Sequence, residues 1–99
     1  MNNYKIEITI DNIYLEELLE ILDEEGVHGY TGFDIDRSKG VKHGERLSKA
    51  LIPTSRKSYI FSIVQEEIAD HLVQHLEEFL SDRGGIMIQS KVDRVIGIS

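Results

Sequence analysis

The sequence predicts an α+β fold of the ferredoxin-like kind, βαββαβ. Such a fold is an antiparallel sheet with two helices on one face, here with a long loop between the second and third strands. Three observations lead there. Apolar residues alternate with period two at the start of the chain and again after Pro53, the pattern of half-buried strands. Two stretches with helical apolar spacing follow those strands. Between them all periodicity stops over a polar, cationic segment. Strand, helix, strand, strand, helix, strand is the split β-α-β order.

The elements follow in turn. Residues 4–10 place Ile6, Ile8 and Ile10 on one face and Lys5, Glu7 and Thr9 on the other. Asp11 or Asn12 can cap the helix expected over 13–25, where Tyr14, Leu15, Leu18, Leu19 and Leu22 form an apolar stripe. Gly26 suits the end of such a helix. A short strand is expected over 30–36, with Phe33 and Ile35 on the inner side. After Pro53 the third strand takes residues 57–64, with Tyr59, Phe61 and Ile63 opposite Ile60 and Val64. Both of its faces carry apolar residues, as a central strand requires. The second helix is expected over 65–81, buried through Ile68, Leu72, Val73, Leu76, Phe79 and Leu80. Arg83-Gly84-Gly85 stops it. One or two closing strands lie within 86–88 and 92–98. Two helices on one face leave the other bare unless other subunits cover it.

Ninety-nine residues make one domain, spanning 1–99. A hydrophobic fraction of 40% is modest for so small a chain, and subunit association would relieve the shortage. A pI near 5.0 argues against nucleic-acid binding by the body. No apolar run is long enough to span a bilayer and no charged-then-apolar leader follows Met1, so a soluble, cytoplasmic protein without direct membrane insertion is expected. The absence of cysteine excludes disulfides and thiolate chemistry.

Charge is distributed unevenly. Arg37, Lys39, Lys42, Arg46, Lys49, Arg56 and Lys57 are seven of the 11 Lys+Arg, against Glu45 alone, so this stretch carries +6. The rest must then carry −13 in a chain whose total is −7. A long cationic loop on an acidic body points to an anionic ligand or an acidic partner surface. The acidic exterior of the first helix, Glu16, Glu17, Glu20, Asp23 and Glu24, reads as a solvated face.

Catalysis is not expected. There is no cysteine nucleophile, no Gly-x-Ser-x-Gly elbow and no P-loop, and most carboxylates lie on helix exteriors. His71 and His75 stand at i and i+4 and can share a metal, but no third ligand is placed and no HExxH motif is present, so no metal site is assigned. The glycine turns are more informative. Gly29-Tyr30-Thr31-Gly32 and Gly84-Gly85 allow backbone amides to approach a phosphate, and nearby arginines pair with its oxygens. Thr31 adds a hydroxyl that can donate and accept.

In their order these parts resemble the PII signalling proteins and their PII-like relatives. The matching pieces are Gly29-Tyr30-Thr31 before a long basic loop, Ile52-Pro53 before the third strand, Gly84-Gly85 before Ile86-Met87-Ile88, and Asp93-Arg94-Val95-Ile96-Gly97-Ile98 at the end. The resemblance implies a homotrimer with an adenine nucleotide (AMP, ADP, ATP or cyclic AMP) in each cleft between subunits. Gly29, Tyr30, Thr31 and Gly32 would bind the nucleotide, with Thr31 at the adenine. Arg37, Lys39, Arg56, Gly84, Gly85 and Arg94 would hold phosphate. The loop over about 36–57, called the T-loop in that family, would change shape with the ligand. It would then regulate a membrane transporter, such as one for inorganic carbon, or an enzyme. Bicarbonate or another anion is a further ligand that the resemblance allows.

The chain also departs from the 2-oxoglutarate-sensing members. Asp36-Arg37-Ser38-Lys39-Gly40 lacks their glutamine, no lysine follows Gly85, Gly97 stands where they have an arginine, and the loop tip has no tyrosine. These departures point away from ATP with 2-oxoglutarate. Two other functions suit the same topology: an amino-acid-binding regulatory domain, typically dimeric, with contacts near Asp11 or Gln65, and a metal-tolerance trimer using His71 and His75 or the acidic helix faces.

Overall fold

The computed structural model describes residues 2–35 and 56–97. Strand β1 spans Asn3–Asp11, and a single 3-10 turn, Asn12–Tyr14, leads into helix α1, Leu15–Glu24. Strand β2 is Thr31–Ile35, β3 is Lys57–Gln65, helix α2 is Glu66–Arg83 and β4 is Ile86–Val92. The sheet order is β2-β3-β1-β4, with every neighbouring pair antiparallel. This is the ferredoxin-like arrangement: each helix crosses between two strands that flank a third. One closing strand forms, and residues 93–97 extend it in no regular structure.

Alternation along the central strands explains the core. Ile6, Ile8 and Ile10 of β1 and Ile60 and Val64 of β3 face the helices and are buried. Leu18, Ile21 and Leu22 of α1 and Ala69, Leu72, Leu76 and Phe79 of α2 close over them. Ile21 and Ala69 join the core although the helical stripes read from spacing omit them. Neither Asp11 nor Asn12 caps the first helix through its side chain. Asp11 precedes the 3-10 turn, and the Asn12 amide is spent on β2 and β3.

Phe33 and Ile35 do not face the helices. Register pairs Phe33 with Tyr59 and Ile35 with Lys57, all on the sheet's other side, while Gly32 and Asp34 oppose the buried Ile60 and Ser58. The opposite assignment fails because it puts the two apolar residues of β2 inward, when a glycine and an aspartate occupy the inner positions.

The helix-free face carries an aromatic row across β2 and β3. Phe33 and Tyr59 have centroids 5.1 Å apart, and Tyr59 and Phe61 6.1 Å. On β4 the same face presents Ile86 and Ile88, which are 61% and 50% exposed, and Phe33 is 57% exposed. That is a larger apolar display than isolated surface residues explain. Its polar members are tied together: Tyr59 donates to Glu7 Oε1 at 2.7 Å, and Lys5 lies 3.9 Å from the same oxygen and 4.8 Å above the Phe61 ring.

The Glu7 contact raises the Tyr59 pKa above its usual 10.0, first through the hydrogen bond, then through burial and the carboxylate charge. A folded-state pKa above the unfolded one means the contribution is full below about pH 10 and fades as pH rises through the folded value. Urea titrations should therefore find wild type more stable than Tyr59→Phe near neutrality. That margin should shrink steadily above about pH 10.

Candidate functional site

One edge of the sheet is shaped by two buried serines. On the helix side of β3, Ser58 and Ser62 alternate with Ile60 and Val64, and each serine is hydrogen-bonded to a distant segment. Ser62 Oγ donates to the Gly29 carbonyl, holding the segment between α1 and β2 against β3. That segment is anchored from its other end as well: Val27 is buried, its amide donates to the Leu22 carbonyl, and the Gly26 amide donates to the Asp23 carbonyl. Pairing of β2 with β3 stops at Thr31–Phe61, but β3 continues to Gln65 alongside β1. The outer backbone edge of β3 past Phe61 therefore looks into a cavity of about 650 Å³. Its walls include Gly26, Gly29, Tyr30, Thr31, Gln65 and Ile68. A strand edge offers N–H donors and C=O acceptors side by side. Gly29, Tyr30, Thr31 and Gly32 are all exposed here.

A second set of polar contacts fixes the base of the loop that joins β2 to β3. Ser58 Oγ donates to Asp34 Oδ1 at 3.0 Å and accepts from Asn12 Nδ2 at 2.7 Å, and that amide also reaches Asp34 Oδ1 at 3.2 Å. The Asn12 backbone amide donates to the Arg56 carbonyl at 2.6 Å, and Lys57 Nζ sits 2.7 Å from Asp11 Oδ1. Asp34 precedes the loop, Arg56 ends it and Lys57 and Ser58 follow it, so the junction between β1 and α1 holds both stems. The pairing of Asp11 with Lys57, and of Asn12 with Asp34 and Ser58, escapes a sequence reading, because the partners lie 22 to 46 residues apart in the chain. Two serines on the inner face of an otherwise apolar strand are the available signal.

The loop expected over 36–57 ends at Arg56, because Lys57 is already the first residue of β3. Residues 36–55, with Arg37 and Lys39, lie outside the described residues. Arg56 is exposed at the stem.

Gly84 and Gly85 form the turn into β4, on the opposite edge from β2. Gly84 has φ +79° and Gly85 φ +116°. A β-carbon on Gly85 would stand 2.8 Å from the Thr9 carbonyl oxygen and from the Ile10 side chain, so only glycine fits against β1. Thr31 lies in the row of Phe61, Glu7 and Ile88, three residues along from Gly85. Three interstrand spacings of about 4.8 Å and roughly 10 Å along the strands separate the two turns. Arg94 follows Val92 at the far end of β4, itself about 20 Å from the glycine turn. One copy of the chain thus keeps the predicted residues in separate groups: Gly29 to Gly32 at one edge, Gly84-Gly85 at the other near the loop base, and Arg94 at the opposite end.

The histidines separate too. His71 is exposed, whereas His75 is partly buried with Nδ1 3.0 Å from Glu25 Oε2, joining α2 to the end of α1. Among the described residues no three histidines or carboxylates are grouped to hold a metal. The Asp11 carboxylate is taken by Lys57, and no helix among the described residues is long and apolar enough to cross a membrane.

Fold and edges are those of the ferredoxin-like α+β class. Within it, residues 3–99 match the family described as nitrogen regulatory protein P-II, and the chain belongs to that family. No curated protein matches it. Among solved structures, it is similar to the apo form of CPII, a nitrogen regulatory PII-like protein from Thiomonas intermedia K12. The identity is 22% and the TM-score 0.71, covering 93% of this chain and 90% of that one. CPII bound to ADP, AMP and bicarbonate matches with 23% identity and a TM-score of 0.65, covering 97% and 98%. A putative PII-like signalling protein from Thermus thermophilus matches with 19% identity and a TM-score of 0.71, covering 93% and 88%.

The loop base makes a quantitative contrast. Asp34→Ala leaves the buried Ser58 hydroxyl without its acceptor and should cost about 1–3 kcal/mol in urea unfolding. Lys57→Met removes a solvent-exposed ion pair and should cost less than about 1 kcal/mol.

Proposed function

We propose that the chain is a non-enzymatic PII-like sensor, one domain over residues 1–99, that binds an adenine nucleotide between the subunits of a homotrimer. The single observation that carries this reading is the placement of the two glycine turns on opposite edges of one sheet. A ligand that touches both must bridge two copies. The helix-free face supplies the means of association, because burying Phe33, Ile86 and Ile88 against their counterparts removes apolar area from water. The bound ADP and AMP of CPII support the choice of ligand.

The cavity beside β3 suits the base. Adenine presents an amino donor beside ring-nitrogen acceptors, which complement the free strand edge, with Thr31 and Tyr30 alongside. The phosphates then point to the neighbour's Gly84-Gly85 turn and the loop stem at Arg56. Arg37 and Lys39 on the loop add positive charge, and Arg94 serves as a more distant cation. The T-loop, cationic by sequence, responds as phosphate neutralises part of its charge and favours one conformation. In that conformation it regulates a partner in the cytoplasm, such as an inorganic-carbon transporter or an enzyme. Bicarbonate, seen in CPII beside the nucleotides, is the candidate second ligand.

Light scattering should give the mass of three copies of the 11.3 kDa chain. Calorimetry with AMP, ADP, ATP and cyclic AMP should detect saturable binding of at least one. A monomer, or no binding at millimolar nucleotide, would defeat the reading.

A further inference from the structure

We propose that Arg83, the last residue of α2, is the cation that pairs with phosphate at the Gly84-Gly85 turn. This rests on the nucleotide reading above and goes beyond it by assigning a residue that neither glycine pattern nor loop charge singles out.

The first argument is electrostatic. The turn sits at the carboxyl end of α2, an 18-residue helix whose dipole places partial negative charge there. Glu78 and Asp82 lie in its last turns. An anion at this point is repelled unless a cation stands beside it. Within one copy, the other cations among the described residues are committed or distant from the turn. Lys5 lies on the helix-free face against Glu7 and Phe61, and Lys57 pairs with Asp11. Lys91 and Arg94 belong to the far end of β4. Arg56 stands at the same end as the turn but across two strand spacings, about 10 Å.

The second argument is the state of the Arg83 side chain. Its Nη1 donates to the Phe79 carbonyl at 3.1 Å, and the guanidinium lies 4.3 Å from the Phe79 ring centroid and 5.7 Å from that of Tyr14. These contacts hold the plane in place. The remaining partner is Glu17, 3.3 Å from Nε, with the arginine 29% and the glutamate 53% exposed. A long, exposed ion pair of this kind contributes little. A phosphate replacing Glu17 meets the Nε–Nη2 edge, the forked geometry in which guanidinium binds oxyanions best. Glu17 is then a stand-in carboxylate that keeps the guanidinium aligned until the ligand arrives.

Calorimetry with ADP, AMP and adenosine on wild type, Arg83→Gln, Arg83→Lys and Glu17→Gln tests this. Arg83→Gln should weaken ADP about tenfold or more while changing adenosine less than about twofold. Arg83→Lys, which keeps the charge and loses the fork, should fall between, and Glu17→Gln should tighten ADP about two- to threefold. Equal losses for ADP and adenosine in Arg83→Gln, or an unchanged ADP affinity, would overturn the assignment. A wild type that binds none of the three would instead overturn the nucleotide reading itself.

Discussion

Backbone hydrogen bonds between four strands decide what this molecule can hold. With the order β2-β3-β1-β4, the Gly29–Gly32 turn and the Gly84–Gly85 turn occupy opposite edges, and β3 and β1 stand between them. Side-chain rearrangement cannot close that gap, because doing so would dismantle the ladder that forms the core. In the proposed reading a nucleotide that uses both turns is shared between copies, which ties the oligomer to the ligand site through the strand order. The helix-free face agrees with this, since it exposes Phe33, Ile86 and Ile88 around a short Lys5–Glu7–Tyr59 polar chain. Apolar residues favour burial and the polar chain supplies direction.

The loop stems answer a different physical demand. A buried hydroxyl such as Ser58 needs partners, and it finds them in Asn12 and Asp34, on segments that would otherwise be independent. That cluster joins the turn before α1, the end of β2 and the beginning of β3. The neighbouring Lys57–Asp11 pair adds charge pairing on the more exposed side.

Much of the fold is legible because burial writes itself as periodicity. Ile6, Ile8 and Ile10 announce β1, and Leu72, Leu76 and Phe79 announce α2. The strand order follows from the alternation of strands and helices once the family's parts are seen in sequence. Phe33 reads as inward when it faces outward, because β2 is short and its inner positions are Gly32 and Asp34, which hydrophobicity alone cannot mark as inward. Their place depends on Ile60 and Ser58 across the sheet, a tertiary fact. For the same reason the Asn12–Ser58–Asp34 cluster leaves little trace: each member reads alone as a cap, a strand serine or a strand aspartate. Arg83 reads as punctuation before a glycine turn, and only its contacts with Phe79, Tyr14 and Glu17 show an oriented guanidinium.

The shared site is most directly tested by a crystal structure of the protein with ADP. The account predicts that the base lies against Gly29 to Thr31 and the outer edge of β3 in one copy, with the phosphates at Gly84-Gly85 of another. A nucleotide held entirely by residues of a single copy would contradict it.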